Sequence, residues 1–321
     1  MASLGAFENV IQPPVLFFFL GVLAAVCRSG LEISQTVAKF LAQFLLLAIG
    51  FHGGVELAKA GFSAEALSVM LLAVAFAAIQ PLYLFGIAKR FFSVANAAAI
   101  AATFGSVSAV TFVVGTEFLA LHDVPINGYM VATLALMESP AILVGLVLAR
   151  RHMAGGNVTI RWPTVLTESF LHGPVFLLLG SFLIGYLTGP IRAVPFDPLF
   201  KDLFKGVICL FLLDMGLNCA RQFQLIEGAR LKMIFLGVLF PVINALVALL
   251  VVRVFGLPPS DAFLMLVLAS SGSYIAVPAV FRLALPEANA VIYTGLALGV
   301  TFPFNILVGL PLYWWLIQIA L

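Results

Sequence analysis

Two short stretches combine glycine and hydroxyl side chains inside long apolar runs. One reads Ala102-Thr-Phe-Gly105-Ser106-Val-Ser108-Ala109-Val110-Thr111, the other Ala269-Ser-Ser-Gly272-Ser273-Tyr-Ile-Ala276-Val277-Pro278. Gly followed by Ser continues a helix poorly and breaks one readily. A broken helix begins its second half with backbone N–H groups that lack intrahelical partners. Together with the helix dipole and nearby hydroxyls, such groups hold a small anion without Arg or Lys. The freed carbonyls and the hydroxyl oxygens at the opposite ends suit Na⁺, a hard cation. Thr103, Ser106, Ser108, Thr111, Ser270, Ser271 and Ser273 are the hydroxyls that could serve this chemistry. The plainer use of Gly and Ser in a membrane helix is close packing, and the GxxxG spacing of Gly295 and Gly299 fits that use.

Ionisable groups inside apolar runs are costly and usually functional. Glu138 lies in Leu136-Met-Glu-Ser-Pro140, and Asp214 is followed one turn later by Asn218. His52 and Glu56 share a helical face at i, i+4, while Asn244 and Asn305 are amides in apolar surroundings. Glu138 has two readings of equal standing: cation coupling beside the substrate, or a structural carboxyl satisfied by Ser or Thr. Glu117 and Asp123 flank a loop and are expected to be solvated. Catalysis finds no support. There is no HExxH, no Walker motif and no GxGxxG after a strand, and His52 has no evident route to Ser273.

The elements that must position these groups follow from composition. Of 321 residues, 63% are hydrophobic and only 9% charged, with mean hydropathy +1.17. A water-soluble domain carries roughly 25% charged residues, so this is an integral membrane protein. A net charge of +2 and three scattered cysteines exclude nucleic-acid binding, a disulfide framework and a zinc site. Ten apolar runs can span a bilayer: 13–27, 33–55, 65–88, 94–120, 126–149, 173–191, 201–219, 231–255, 260–285 and 288–320. With the N-terminus outside, eleven of the 16 Lys and Arg residues fall in inner connections. Both termini are therefore expected on the periplasmic or external face of a cell inner membrane. No signal peptide is evident at the N-terminus, where Glu8 stands in place of a basic region. Residues 150–172 read as a cytoplasmic linker, with an interfacial helix over 164–172.

The skeleton A-x-x-G-S-x-x-A-V recurs at an offset of 167 residues. Leu134-Ala-Leu136, Pro140 and Ile142-Leu-Val-Gly-Leu146 reappear as Leu296-Ala-Leu298, Pro303 and Ile306-Leu-Val-Gly-Leu310. A weaker echo joins Leu46-Leu-Ala-Ile-Gly50 to Leu212-Leu-Asp-Met-Gly216. Five spans separate the members of each pair, and an odd number inserts the second copy upside down. The expected fold is all-α, with ten transmembrane helices in a 5+5 inverted repeat: 1–149, the linker, then 173–321. Both repeats carry one broken helix, an arrangement found in secondary transporters. A passive anion channel remains the alternative, since broken helices also serve channels.

Phe104-Gly-Ser-Val-Ser-Ala-Val-Thr111, Met137-Glu-Ser-Pro140, Ser271-Gly-Ser-Tyr-Ile-Ala-Val-Pro278 and Thr301-Phe-Pro303 through Pro311 resemble the sodium-dependent bicarbonate transporter family best known from cyanobacteria. The resemblance runs along nearly the whole chain. It implies core and gate domains, an elevator-like mechanism, a homotrimer, and sodium-driven uptake of bicarbonate or another small anion such as a short carboxylate. Carried over, the substrate positions are Gly105, Ser106, Ser108, Thr111, Gly272 and Ser273. Oxygen donors around them, Thr103, Glu138, Ser271, Thr301 and Asn305, form the expected Na⁺-binding or coupling set. No cofactor is implied beyond Na⁺. Val110 stands where cyanobacterial members carry a small hydroxyl residue, and Tyr274 where they carry an aspartate. The linker is much shorter than in those members, which argues against regulation by a PII-type signal-transduction protein.

Overall fold

A computed structural model describes residues 13–61, 63–153, 173–225 and 230–321, and among them there is no strand. The expected interfacial helix and most of the expected linker lie outside the described residues. The helices are α1 (Pro13–Val26), α2 (Gln35–Ala60), α3 (Ala64–Ala88), α4 (Val94–Gly105), α5 (Ala109–Leu121) and α6 (Tyr129–His152). They continue with α7 (Gly173–Ala193), α8 (Leu203–Leu225), α9 (Arg230–Phe255), α10 (Pro259–Ala269), α11 (Ala276–Ala284) and a last helix, α12 (Ala290–Ala320). Among the described residues, eight segments are long and apolar enough to cross a membrane, with α4 and α5 counted together. The remaining two expected spans are the 14-residue α1 and the short pair α10 and α11.

Local chemistry fixes the ends. Ser34, Ser63 and Ser93 accept hydrogen bonds from Val37, Ala66 and Asn96 N–H, capping α2, α3 and α4. Gly61, at φ 79°, ends α2 in a conformation that side chains resist. Pro81, Pro140 and Pro241 lie inside continuous helices. Neighbouring helices supply what the missing N–H groups cannot, so proline does not end a membrane helix as it would in water.

Two helix pairs cross closely through glycine. Gly21 of α1 meets Leu213 and Gly216 of α8, and Gly50 and Gly54 of α2 meet Leu178, Ser181 and Phe182 of α7. A Cβ at any of these glycines would enter the partner's backbone or side chains, so backbone contact replaces side-chain packing. These four helices form one group. α3, α4 and α6, together with α9, α10 and α12, form the other, with α5 on α10 and α4 on α11. The broken helices lie in this second group.

Candidate functional site

The helix formed by α4 and α5 stops at Gly105 and resumes at Ala109; its counterpart stops at Ala269 and resumes at Ala276. Both expected breaks exist. They lock into each other by exchanged bonds: Ser273 N–H donates to Thr103 O at 2.8 Å, and Ser108 N–H donates to Ser271 Oγ at 2.9 Å. Ser108 caps α5 by accepting from Thr111 N–H at 3.2 Å, and Ser273 Oγ accepts from Val277 N–H at 3.4 Å.

A cavity of about 30 Å³ opens where α5 and α11 begin. Val107, Ser108, Ala109 and Val110 form one wall, Ser273, Tyr274 and Ile275 the next, and Glu138, Leu134, Leu46 and Leu178 close it. Among the described residues, the N–H groups of Ala109, Val110 and Ile275 have no hydrogen-bond partner. The site therefore offers first-turn donors of α5, the N–H at the cap position of α11, two serines, a tyrosine and a carboxyl group.

The freed carbonyls on the other side of each break are already occupied. Asn244 Nδ2 donates to Phe104 O at 3.2 Å and to Ala269 O at 2.9 Å, and Gln80 Nε2 donates to Ala269 O at 2.8 Å. Asn305 Nδ2 donates to Ser270 O at 2.9 Å while its Oδ1 accepts from Tyr313 OH. Oxygens that remain without a partner, buried in the same region, are Thr103 Oγ1, Ser270 Oγ, Ser139 Oγ and Gln80 Oε1.

The expected substrate residues thus divide. Ser108 and Ser273 line the cavity. Ser106 is fully buried and turns away, donating to Glu138 O at 3.2 Å. Gly105 and Gly272 give close approach: a Cβ at Gly105 would sit 2.5 Å from Pro81 Cγ, and one at Gly272 would sit 3.2 Å from Ala297 Cβ. Thr111 contributes the N–H that Ser108 caps. In the sodium set, Thr103 keeps a free hydroxyl and Glu138 faces the cavity. Ser271 is committed to Leu268 O and Ser108 N–H, and Thr301 Oγ1 donates to Gly237 O at 2.6 Å. Among the described residues no three His, Cys, Asp or Glu side chains gather as a transition metal would require.

Gln80 and Tyr83 were invisible in the sequence, because nothing local marks a polar residue in α3 as a partner of α9 and α10. Glu117 is half-buried and lines a second cavity of about 690 Å³, whereas the sequence suggested a solvated loop flank. His52 lines that same cavity, and Ser273 does not, so they form no nucleophile–base pair.

A family model described as the Na⁺-dependent bicarbonate transporter superfamily matches residues 13–318. The chain belongs to that superfamily. No curated protein matches the chain significantly. Membership in the Na⁺-dependent bicarbonate transporter superfamily, with the apolar helices, makes this a multi-pass membrane protein from a family of transporters, not of enzymes.

Proposed function

We propose that this member of the superfamily takes up bicarbonate by symport with Na⁺. The observation that carries the reading is the convergence of two helix N-termini on one small cavity. About 10–15 Å³ of such space holds one water, so about 30 Å³ suits an ion of a few heavy atoms, bicarbonate or a carboxylate as small as acetate, and leaves no room for a longer one. Donors come from backbone dipoles, so the anion is held without a fixed cation and can be released. Na⁺ coupling is supported by the unpartnered Thr103, Ser139, Ser270 and Gln80 oxygens, which are hard neutral ligands. In proteoliposomes, labelled bicarbonate should accumulate against an inward Na⁺ gradient and stop when choline replaces Na⁺. Uptake that persists without Na⁺ and collapses with a protonophore would sink the proposal. A passive channel would show flux but no accumulation.

The same reading includes an inverted repeat and a core that slides past a gate. The packing supports it: α1 lies on α8 as α7 lies on α2, and α4 lies on α11 as α5 lies on α10. Asn127 Nδ2 donates to Asp261 at 3.0 Å, and Asn289 N–H donates to Asn96 Oδ1 at 2.7 Å, so in each case the first turn of a half-helix of one repeat meets residues just before the last span of the other. The gate–core contacts, in contrast, are out of register. Gly53 of α2 abuts Val131 of α6, while its counterpart Cys219 of α8 lies 3.7 Å from Gly299 O of α12. The echo that pairs Leu134 with Leu296 makes Gly299 the counterpart of Met137, six residues beyond Val131. At 1.5 Å per residue that is roughly 9 Å. In the expected orientation this offset is that of a core displaced toward the cytoplasm, and the 690 Å³ cavity fits the space such a core would leave outside. Cysteines at Leu57 and Leu134, with native cysteines replaced, should cross-link only after the slide. An active pair variant that never cross-links contradicts the sliding. A reporter after Gly155 should be cytoplasmic and one after Leu321 external.

A further inference from the structure

We propose that Asn244 is a positioning residue for both breaks at once, clamping the C-terminal ends of α4 and α10 so that α5 and α11 start at a fixed separation. The proposal rests on the transport reading. Asn244 is fully buried in α9 and does not line the cavity. Its amide sends hydrogen bonds to two carbonyls of different repeats, Phe104 O at 3.2 Å and Ala269 O at 2.9 Å. Only a group with two divergent N–H bonds can do this: a hydroxyl has one hydrogen, and a carboxylate has none.

The orientation of the amide is fixed from outside. Tyr83 OH donates to Asn244 Oδ1 at 2.6 Å, so the oxygen faces α3 and the NH₂ faces the two carbonyls. Gln80, one turn before Tyr83, adds its own donor to Ala269 O at 2.8 Å. Each carbonyl belongs to the last turn of a half-helix, where the dipole is negative and partners are missing. An amide supplies partial positive charge to both ends with no net charge in the membrane interior, where an ammonium would be costly.

The consequence for transport is geometric. Phe104 precedes Ser108 by four residues, and Ala269 precedes Ser273 by four. Between carbonyl and cavity wall there is one short, hydrogen-bonded link on each side. Loosening the clamp shifts both sets of donors relative to each other, which weakens anion binding without altering a group that touches the anion.

The test uses the full chain in proteoliposomes, with bicarbonate KM and Vmax measured beside the thermal stability of each variant. Asn244→Asp keeps the shape and removes both donors; KM should rise at least ten-fold, with Vmax falling less. Tyr83→Phe leaves the amide free to turn and should raise KM two- to five-fold. Hydrogen exchange adds a readout independent of transport: both variants should exchange faster at residues 104–112 and 269–277 together. A folded Asn244→Asp with unchanged KM overturns the proposal. If that variant does not fold, Tyr83→Phe decides, and unchanged KM with unchanged exchange overturns it equally. Faster exchange at one break alone also overturns it. Should wild type show no Na⁺-driven uptake, the transport reading fails, and the exchange pattern still judges the clamp.

Discussion

The two breaks share a sequence skeleton and differ in how they end. In the first, three residues separate α4 from α5, all are buried, and Ser108 caps the resumed helix. In the second, six residues separate α10 from α11, Ile275 stands at the cap position with no side-chain bond, and it is 40% exposed. The offset of 167 aligns Ser108 with Ile275 and Thr111 with Pro278. The capping pair of the first repeat is thus replaced by Ile and Pro, and Pro278 has no N–H for a cap to receive. A repeated motif specifies that a helix breaks; two residues within it decide how tightly it resumes. The first break is capped by Ser108 at its cap position, the second is held by Ser273 Oγ accepting from Val277 N–H, and the second carries Tyr274 into the cavity where the first repeat has Val107.

The largest expected effects come from the glycines. A side chain at Gly105 meets Pro81 Cγ at 2.5 Å and Ala141 Cβ at 3.1 Å, both on rigid helices. Overpacking of that kind costs about 1–3 kcal/mol of folding stability, so Gly105→Val should lower thermal stability by about that amount and bicarbonate uptake with it. Gly272 has nothing closer than Ala297 Cβ at 3.2 Å and the Phe104 ring at 3.5 Å, so Gly272→Val should cost less stability, about 1 kcal/mol at the lower end of that range. Equal losses would erase the distinction between a tightly and a loosely surrounded glycine. Two variants that reach the membrane and transport normally would move the site elsewhere.

Next come the serines, where sequence equivalence and structural role separate. Ser273→Ala removes a hydroxyl from the cavity wall and should weaken bicarbonate affinity roughly ten-fold, the worth of about 1–2 kcal/mol for a hydrogen bond to a charged group. Ser106→Ala loses only the bond to Glu138 O, so its effect should fall mainly on thermal stability, by about 1 kcal/mol. Ser181→Ala, at the α2–α7 crossing where the hydroxyl bonds Leu178 O, should leave KM within about two-fold. KM values for the Ser106 and Ser273 variants that rise together would restore full equivalence of the repeats.

The reasons these roles diverge show what a sequence makes legible. Span positions and both breaks could be read, because apolar length and the Gly-Ser punctuation are local properties. The direction of Ser106, the commitment of Thr301 to Gly237 and the part played by Gln80 and Tyr83 could not. Each is decided by a helix distant in sequence, and an isolated polar residue in an apolar run looks the same whatever it faces. The last span shows the same limit. Its π-helical turns at Gly295–Thr301 and Asn305–Gly309 leave no mark in the apolar periodicity, yet that span delivers Asn305 to Ser270 O.

The smallest effect is the most specific to the comparison. Ile275→Ser alone should not stabilise α11, because the N–H that a serine there would cap belongs to position 278, and Pro278 has none. Pro278→Thr alone supplies the N–H but no acceptor. The double variant rebuilds the Ser108–Thr111 pair in the second repeat, and a helix cap of this kind is worth about 0.5–2 kcal/mol. A double-mutant cycle on thermal unfolding should therefore show a favourable coupling of about 1 kcal/mol, beyond the sum of the single changes. Bicarbonate transport should slow in the double variant, since the second wall would then be held as firmly as the first. Additive single effects would show that Ile275 and Pro278 do not act as a missing cap.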